Sequence, residues 1–236
     1  MTPAQRRDKQ VVKDSFTTAY EAAANELHSI EREKERNAHA KGFRPIVIWP
    51  DPVLSRVAEP IPPNLIEELN SSNWSQFRDL LNAMAFTMVS LNANGLAAPQ
   101  IGVSLQIIAL RFKKSGSEEF ETIHVINPKI TELNDAKQTT VEKCLSLPGI
   151  EVEKTRAAFA RIEGIGSDGA RIEVAGEGLI AVAIQHEMDH LNGITIADGC
   201  TSLKRSRLRS KLKKKKEAGL RYRLVEPDAQ NAEVSK

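Results

Sequence analysis

Gln185-His186-Glu187-Met188-Asp189-His190-Leu191 decides how the rest of this chain is read. On an α-helix the side chains of residues i and i+4 share one face, so His186 and His190 can hold a single metal ion. Glu187, beside them, is placed to act as a general base toward water at that ion. Upstream, Gly178-Leu179-Ile180-Ala181-Val182-Ala183-Ile184 carries no charge, and Leu191 follows the second histidine. Two imidazoles closing an apolar run belong to a buried helix, where polar groups without partners are costly and a shared cation removes the cost. The stretch points to a metal-dependent hydrolase built around a core helix.

Around this helix the chain has room for one domain with a real core and some excess, at 236 residues. An apolar content of 41% and a charged content of 27% are those of an ordinary soluble protein. No stretch reaches the roughly 20 apolar residues that span a bilayer, so no membrane association is expected. Arg6, Arg7 and Lys9 are not followed by an apolar segment, which argues against a secretory signal. Asp8, Asp14, Glu21 and Glu26 argue against an organellar transit peptide. Cys144 and Cys200 alone cannot build a disulfide framework, as befits a reducing compartment. A cytoplasmic location is the expectation.

Charge is unevenly placed. From Lys204 to Arg223 eleven basic side chains face one acid, Glu217, a local charge of +10; with a total of +2, the remainder carries −8. Such a segment suits a polyanionic partner, although a solvated charged helix is the commoner meaning of a charge run.

Residues 1–41 read as a helical or disordered extension, with Glu31-Arg32-Glu33-Lys34-Glu35-Arg36 charged on every side and Gly42 ending it. Phe77, Leu80, Leu81, Met84, Met88 and Leu91 recur at helical spacing, which predicts an amphipathic helix over about 75–91 with its methionines in the core. A turn-rich stretch follows over 92–102. Strands are predicted at 106–112, 123–127, 139–144, 158–165 and 171–174, the last two joined by a hairpin turn at Ser167-Asp168-Gly169. The buried helix over 178–191 ends at Asn192-Gly193, a left-handed cap. Strands followed by a core helix imply an α+β fold. The expected division is 1–41 extension, 42–200 catalytic domain and 201–236 basic helix and flexible tail.

A catalytic metal usually takes three protein ligands and keeps a further position for water. His28, His39, His124, Cys144, Cys200 and many carboxylates are candidates for the third. Cys144 stands out in Glu142-Lys143-Cys144-Leu145-Ser146, where it closes a strand just before a turn. Cys200 reads as a small buried hydrophobe. In Gly95-Leu96-Ala97-Ala98-Pro99-Gln100, small residues allow close backbone approach to a ligand, and Gln100 offers an amide donor.

Taken together, the three segments resemble the peptide deformylase family, which carries GxGLAAxQ, EGCLS and QHExDHLxG in this order. Here they are Ala93 to Gln100, Glu142 to Ser146 and Gln185 to Gly193. The likeness runs from about Phe43 to about Arg223. It implies a compact α+β fold with the HExxH helix packed between antiparallel or mixed sheets. It also implies removal of the N-formyl group from the initiator methionine of nascent polypeptides. One divalent metal, held by Cys144, His186 and His190, is implied too; iron(II) is the family's common choice, with zinc, nickel or cobalt as substitutes. Glu187 would carry the proton, and the Gln100 amide with the Leu145 backbone N–H would stabilise the formyl oxygen. Gly95, Leu179 and Val182, with Ala183, would border the substrate, while Gln185 and Asp189 would support the site.

The basic C-terminal helix would dock on ribosomal RNA, as in bacterial members. A monomer is expected. Two positions depart from the family pattern: Ala93 and Lys143 stand where it has glycines bordering the groove, so altered groove contacts are expected. Lysine would be strained at a positive φ, but an extended residue there would send its side chain to solvent or the rim. Two rival readings remain. An HExxH metallopeptidase ordinarily takes its third ligand downstream. A non-catalytic ribosome-associated protein would not need Glu187.

Overall fold

Antiparallel strand pairing supplies most of the regular structure in the computed structural model, which describes residues 42–62, 66, 75–113 and 117–217. The expected extension over 1–41 and the tail beyond 217 lie outside the described residues. A five-stranded sheet has the order β1 (Gly95–Ala97), β2 (Ile107–Lys113), β3 (Phe120–Leu133), β6 (Phe159–Ile165), β7 (Arg171–Glu177). A separate hairpin pairs β4 (Lys137–Lys143) with β5 (Glu151–Ala157). The helices are α1 (Ser75–Ser90), α2 (Leu179–Leu191) and α3 (Ser202–Glu217).

Why the sheet is buried on both faces is plain from β2. Ile108 and Leu110 turn to one side, where they meet Ala181, Ile184, Met188 and Leu191 of α2. Ile107 and Ala109 turn to the other, where they meet Leu81, Met84 and Met88 of α1. Successive strand residues point to opposite faces, so a strand covered on both sides becomes a continuous apolar run. The methionines of α1 are fully buried, in keeping with their expected core role. The HExxH helix is thus held in the core between the large sheet and the β4–β5 hairpin, an α+β architecture.

Three strands differ most from the sequence expectation, while β7 runs three residues past the expected 171–174. β5 was not anticipated: Glu151-Val152-Glu153-Lys154-Thr155-Arg156-Ala157 sets Lys154 and the buried Arg156 on the same face as Val152, which breaks the apolar alternation. β1 lies within the stretch expected to be turns, and pairs Gly95, Leu96 and Ala97 with Leu110, Ala109 and Ile108. β3 runs well past the expected 123–127, carried through Pro128 by register shifts on either side of Lys129 and Ile130. At the end of α2, Gly193 adopts φ +71° and closes the helix as expected.

Helix α3 is more than a charged appendage. Leu208 and Leu212, one turn apart, are buried in a cluster with Trp49, Leu54, Leu147, Ile196 and Cys144. Lys211 and Lys215 donate to the carbonyls of Gly149 and Pro148 at 3.1 and 3.0 Å. The Arg209 guanidinium lies 5.5 Å from the centre of the Trp49 ring.

Candidate active site

Three elements deliver the site. The end of β4 brings Cys144, the core-facing turn of α2 brings His186, Glu187 and His190, and a short 3-10 turn over Ala98–Ile101 brings Gln100. Cys144 Sγ lies 3.3 Å from His190 Nε2, and the donor atoms of Cys144, His186 and His190 all lie within 4.8 Å of one another. The two imidazole rings stand edge to face, 5.0 Å apart. All three side chains are buried. The sulfur and both imidazoles expected from the sequence therefore converge on one point.

The donor set fits a divalent cation. Burial pushes the Cys144 thiol up, but the charge and hydrogen bonds of His190 and His186 outweigh it and hold the sulfur well below the usual thiol range. Burial pulls His186 down, yet its bonds to Cys144 and Glu142 raise it to about 10. The cavity thus stabilises an anionic sulfur and attracts positive charge, which a proton supplies when no ion does. A thiolate with two imidazoles suits several first-row ions.

His186 is oriented from behind. Its Nδ1–H donates to Glu142 Oε2 at 2.8 Å, leaving Nε2 for the ion. Glu142 is in turn held by Arg156, through Nε at 2.5 Å and a second nitrogen at 3.0 Å. Arg156 also reaches Asp189 at 2.9 Å, and Lys154 meets the same carboxylate oxygen at 2.6 Å. Burial pushes Glu142 up, but the bonds from His186 and Arg156 prevail and set it at about 2. Gln185 ties α2 to β5: it accepts from the Ala157 N–H at 3.1 Å and donates to the Ala157 carbonyl at 3.0 Å. Sequence reasoning missed Arg156, because the strand bearing it was not recognised. Glu142 was visible only as a letter in the second motif.

Glu187 is buried, and its Oε2 has no protein partner. Burial raises its carboxyl above the usual range, partly offset by His186 and His190. Gly95 lets β1 pass close by, since a Cβ there would overlap the Glu187 carboxylate. Gln100 accepts from the Ala97 N–H at 2.8 Å, which turns its amide nitrogen toward Cys144 Sγ at 3.6 Å.

These groups open into a cleft of about 530 Å³ lined by Gly95, Gln100, Cys144, Leu145, His186 and Glu187. Leu179, Val182 and Ala183 form part of its wall, and His190 lies fully buried behind. Ala93 and Lys143 also border it. Lys143 is an extended strand residue, not one at positive φ, and its side chain is 74% exposed. The remaining ligand candidates lie elsewhere. His124 is bonded to the Leu81 carbonyl at 2.8 Å, and the Cys200 thiol faces the Ile196 carbonyl at 3.8 Å. His28 and His39 lie outside the described residues. Among the described residues no helix is long and apolar enough to cross a membrane.

Comparison with known proteins agrees with this geometry. The family model described as polypeptide deformylase matches residues 43–206. A peptide deformylase of Acinetobacter baumannii (strain SDF) is 38% identical over 170 residues, covering 72% of this chain and 90% of that protein. The crystal structure of a peptide deformylase from Legionella pneumophila superposes with a TM-score of 0.65 at 34% identity, covering 76% of this chain and 98% of that one. A Met-Ala-Ser-bound deformylase structure from Acinetobacter baumannii gives a TM-score of 0.59 at 29% identity, over 67% of this chain and 98% of the other. With its buried Cys-His-His group, this chain belongs to the polypeptide deformylase family, metal-dependent hydrolases that remove the N-formyl group from nascent polypeptides.

Proposed function

We propose that Glu187 carries the proton in the deformylation of formyl-Met peptides, in a cleft whose single divalent ion is held by Cys144, His186 and His190. The observation that carries this reading is the Glu187 carboxylate, buried beside the three donors with Oε2 unpartnered. An ion held there supplies Lewis acidity, lowering the pKa of water and polarising the formyl group. Glu187 accepts the proton of the attacking water and returns it to the departing amine. Burial raises its pKa, which suits a carboxylate that must take up a proton before giving it back. The Gln100 amide and the Leu145 N–H donate to the formyl oxygen as negative charge develops on it; each such donor is worth about 3 kcal/mol.

Leu179, Val182 and Ala183 receive the methionine side chain. β4 pairs with β5 alone among the described strands, so its second edge is open to an extended peptide, with Gly95 on the opposite wall. A Met-Ala-Ser-bound relative supports formyl-Met peptides as the substrate class.

Iron(II) is the ion we assign, with zinc, nickel or cobalt able to replace it. We place residues 42–200 as the catalytic unit of a cytoplasmic monomer. The basic segment beginning at Ser202 would dock on ribosomal RNA, held by a salt-sensitive attraction to phosphate. Metal analysis with deformylation kinetics on anaerobically purified protein tests the reading. It predicts one ion per chain and turnover of formyl-Met-Ala-Ser with no cleavage of internal peptide bonds. Cleavage of internal bonds, or no turnover by metal-loaded protein, overturns it.

A further inference from the structure

We propose that Lys143 makes this protein favour formyl-Met peptides carrying an acidic residue shortly after the methionine; this rests on the deformylation reading above. Exposure alternates along β4. Val141 and Lys143 are exposed on one face, while Glu142 turns inward to His186 and Arg156. Val141 and Lys143 both border the cleft. Among the described ionic side chains bordering it, Lys143 is the exposed one, for Glu142, His186 and Glu187 are buried.

A peptide extended along the open edge of β4 brings its outward side chains beside Val141 and Lys143 at the spacing of neighbouring strands, about 4.8 Å. Opposite charges at that spacing attract and like charges repel. Lys143 already has a partner, Glu151 on β5, 3.1 Å away. Both side chains are largely exposed, at 74% and 58%, and such a pair holds weakly enough for another carboxylate to share the ammonium. Glu151 and Glu153 also stand one strand further from the cleft than Lys143 and Val141, their paired residues. An added strand would lie about 10 Å from them, so the nearest charge it meets is the lysine.

The test compares kcat/KM on metal-loaded, full-length protein for formyl-Met tripeptides bearing glutamate, alanine or lysine at the second or third position. Glutamate peptides should exceed their lysine counterparts by about two- to tenfold, chiefly through KM, and the ratio should shrink as salt is raised. Lys143→Glu should reverse the order, Lys143→Gln should bring the ratio close to one, and Lys143→Arg should preserve it. Equal values for acidic and basic peptides, or a ratio that Lys143→Glu leaves unchanged, would overturn the inference while turnover of formyl-Met-Ala-Ser still upholds deformylation. Failure to turn over any formyl-Met peptide would overturn both.

Discussion

Glu142 accepts the Nδ1–H of His186 at 2.8 Å, and this bond joins the strand that leads into Cys144 to the helix that carries both histidines. Arg156 adds a second tie, spanning Glu142 two residues before Cys144 and Asp189 next to His190. The three donors come from two elements, and their spacing depends on this buried relay. Orientation of a ligating histidine by a carboxylate also fixes its tautomer and raises its basicity.

Replacing Glu142 by Gln removes the charge but keeps the shape. Metal affinity should fall about 10- to 100-fold, as for other groups that orient a ligating histidine. Competition against a chelator measures it, and unchanged affinity would refute the role given to Glu142.

Arg156→Met leaves Glu142 and part of Asp189 without a buried cation. A loss of about 3–5 kcal/mol is expected from such a broken pair. Glu142→Leu combined with Arg156→Met should cost less than Arg156→Met alone, because the Glu142 carboxylate is then no longer stranded. Urea unfolding of the three proteins gives the comparison.

Glu187→Gln should keep the metal, since Glu187 is not among the donors, yet lose about 10²- to 10⁴-fold in kcat, the range for a positioned proton carrier. Metal content and turnover measured on the same sample separate the two effects.

His124 offers a pH test away from the metal. Burial lowers its pKa from 6.5, although its bond to the Leu81 carbonyl works in the opposite direction. The unfolded chain therefore takes up this proton first. The stability contributed by neutral His124 is complete above about 6.5 and is lost as pH falls from there toward its lower folded value. Unfolding midpoints at pH 7.5 and 5.5 should differ less in His124→Gln than in the unaltered protein.

For α3, stability and docking must be tested with different substitutions. Leu212→Ala should cost about 2–5 kcal/mol by opening the cluster around Leu147 and Trp49. Deleting the helix would uncover the same cluster, so ribosome docking is better probed at exposed cations. Arg205, Arg207 and Lys214 changed together to Gln should weaken ribosome pelleting and its salt dependence, with thermal stability retained.

The core helix and the histidine pair were legible because their chemistry is local, whereas Cys144 stood out among several candidates by its setting and became a ligand through the family resemblance. Apolar spacing marks α1, and an uncharged run leads into His186 and His190. What escaped notice depends on tertiary partners. A strand with Arg156 on its buried face has no apolar alternation to reveal it, and its burial makes sense only once Glu142 and Asp189 lie opposite. β1 is three residues long and exists because β2 pairs with it. The burial of Leu208 and Leu212 was likewise masked by the surrounding cations, which a sequence reading takes for a solvated face.

Cobalt(II) titration of anaerobic, metal-free protein, followed by thiolate-to-cobalt charge-transfer absorption, tests the central claim that Cys144 shares one ion with His186 and His190. One equivalent should saturate the signal in the unaltered protein and in Cys200→Ala, and the signal should be absent in Cys144→Ser. An undiminished band in Cys144→Ser, or its loss in Cys200→Ala, would contradict the account.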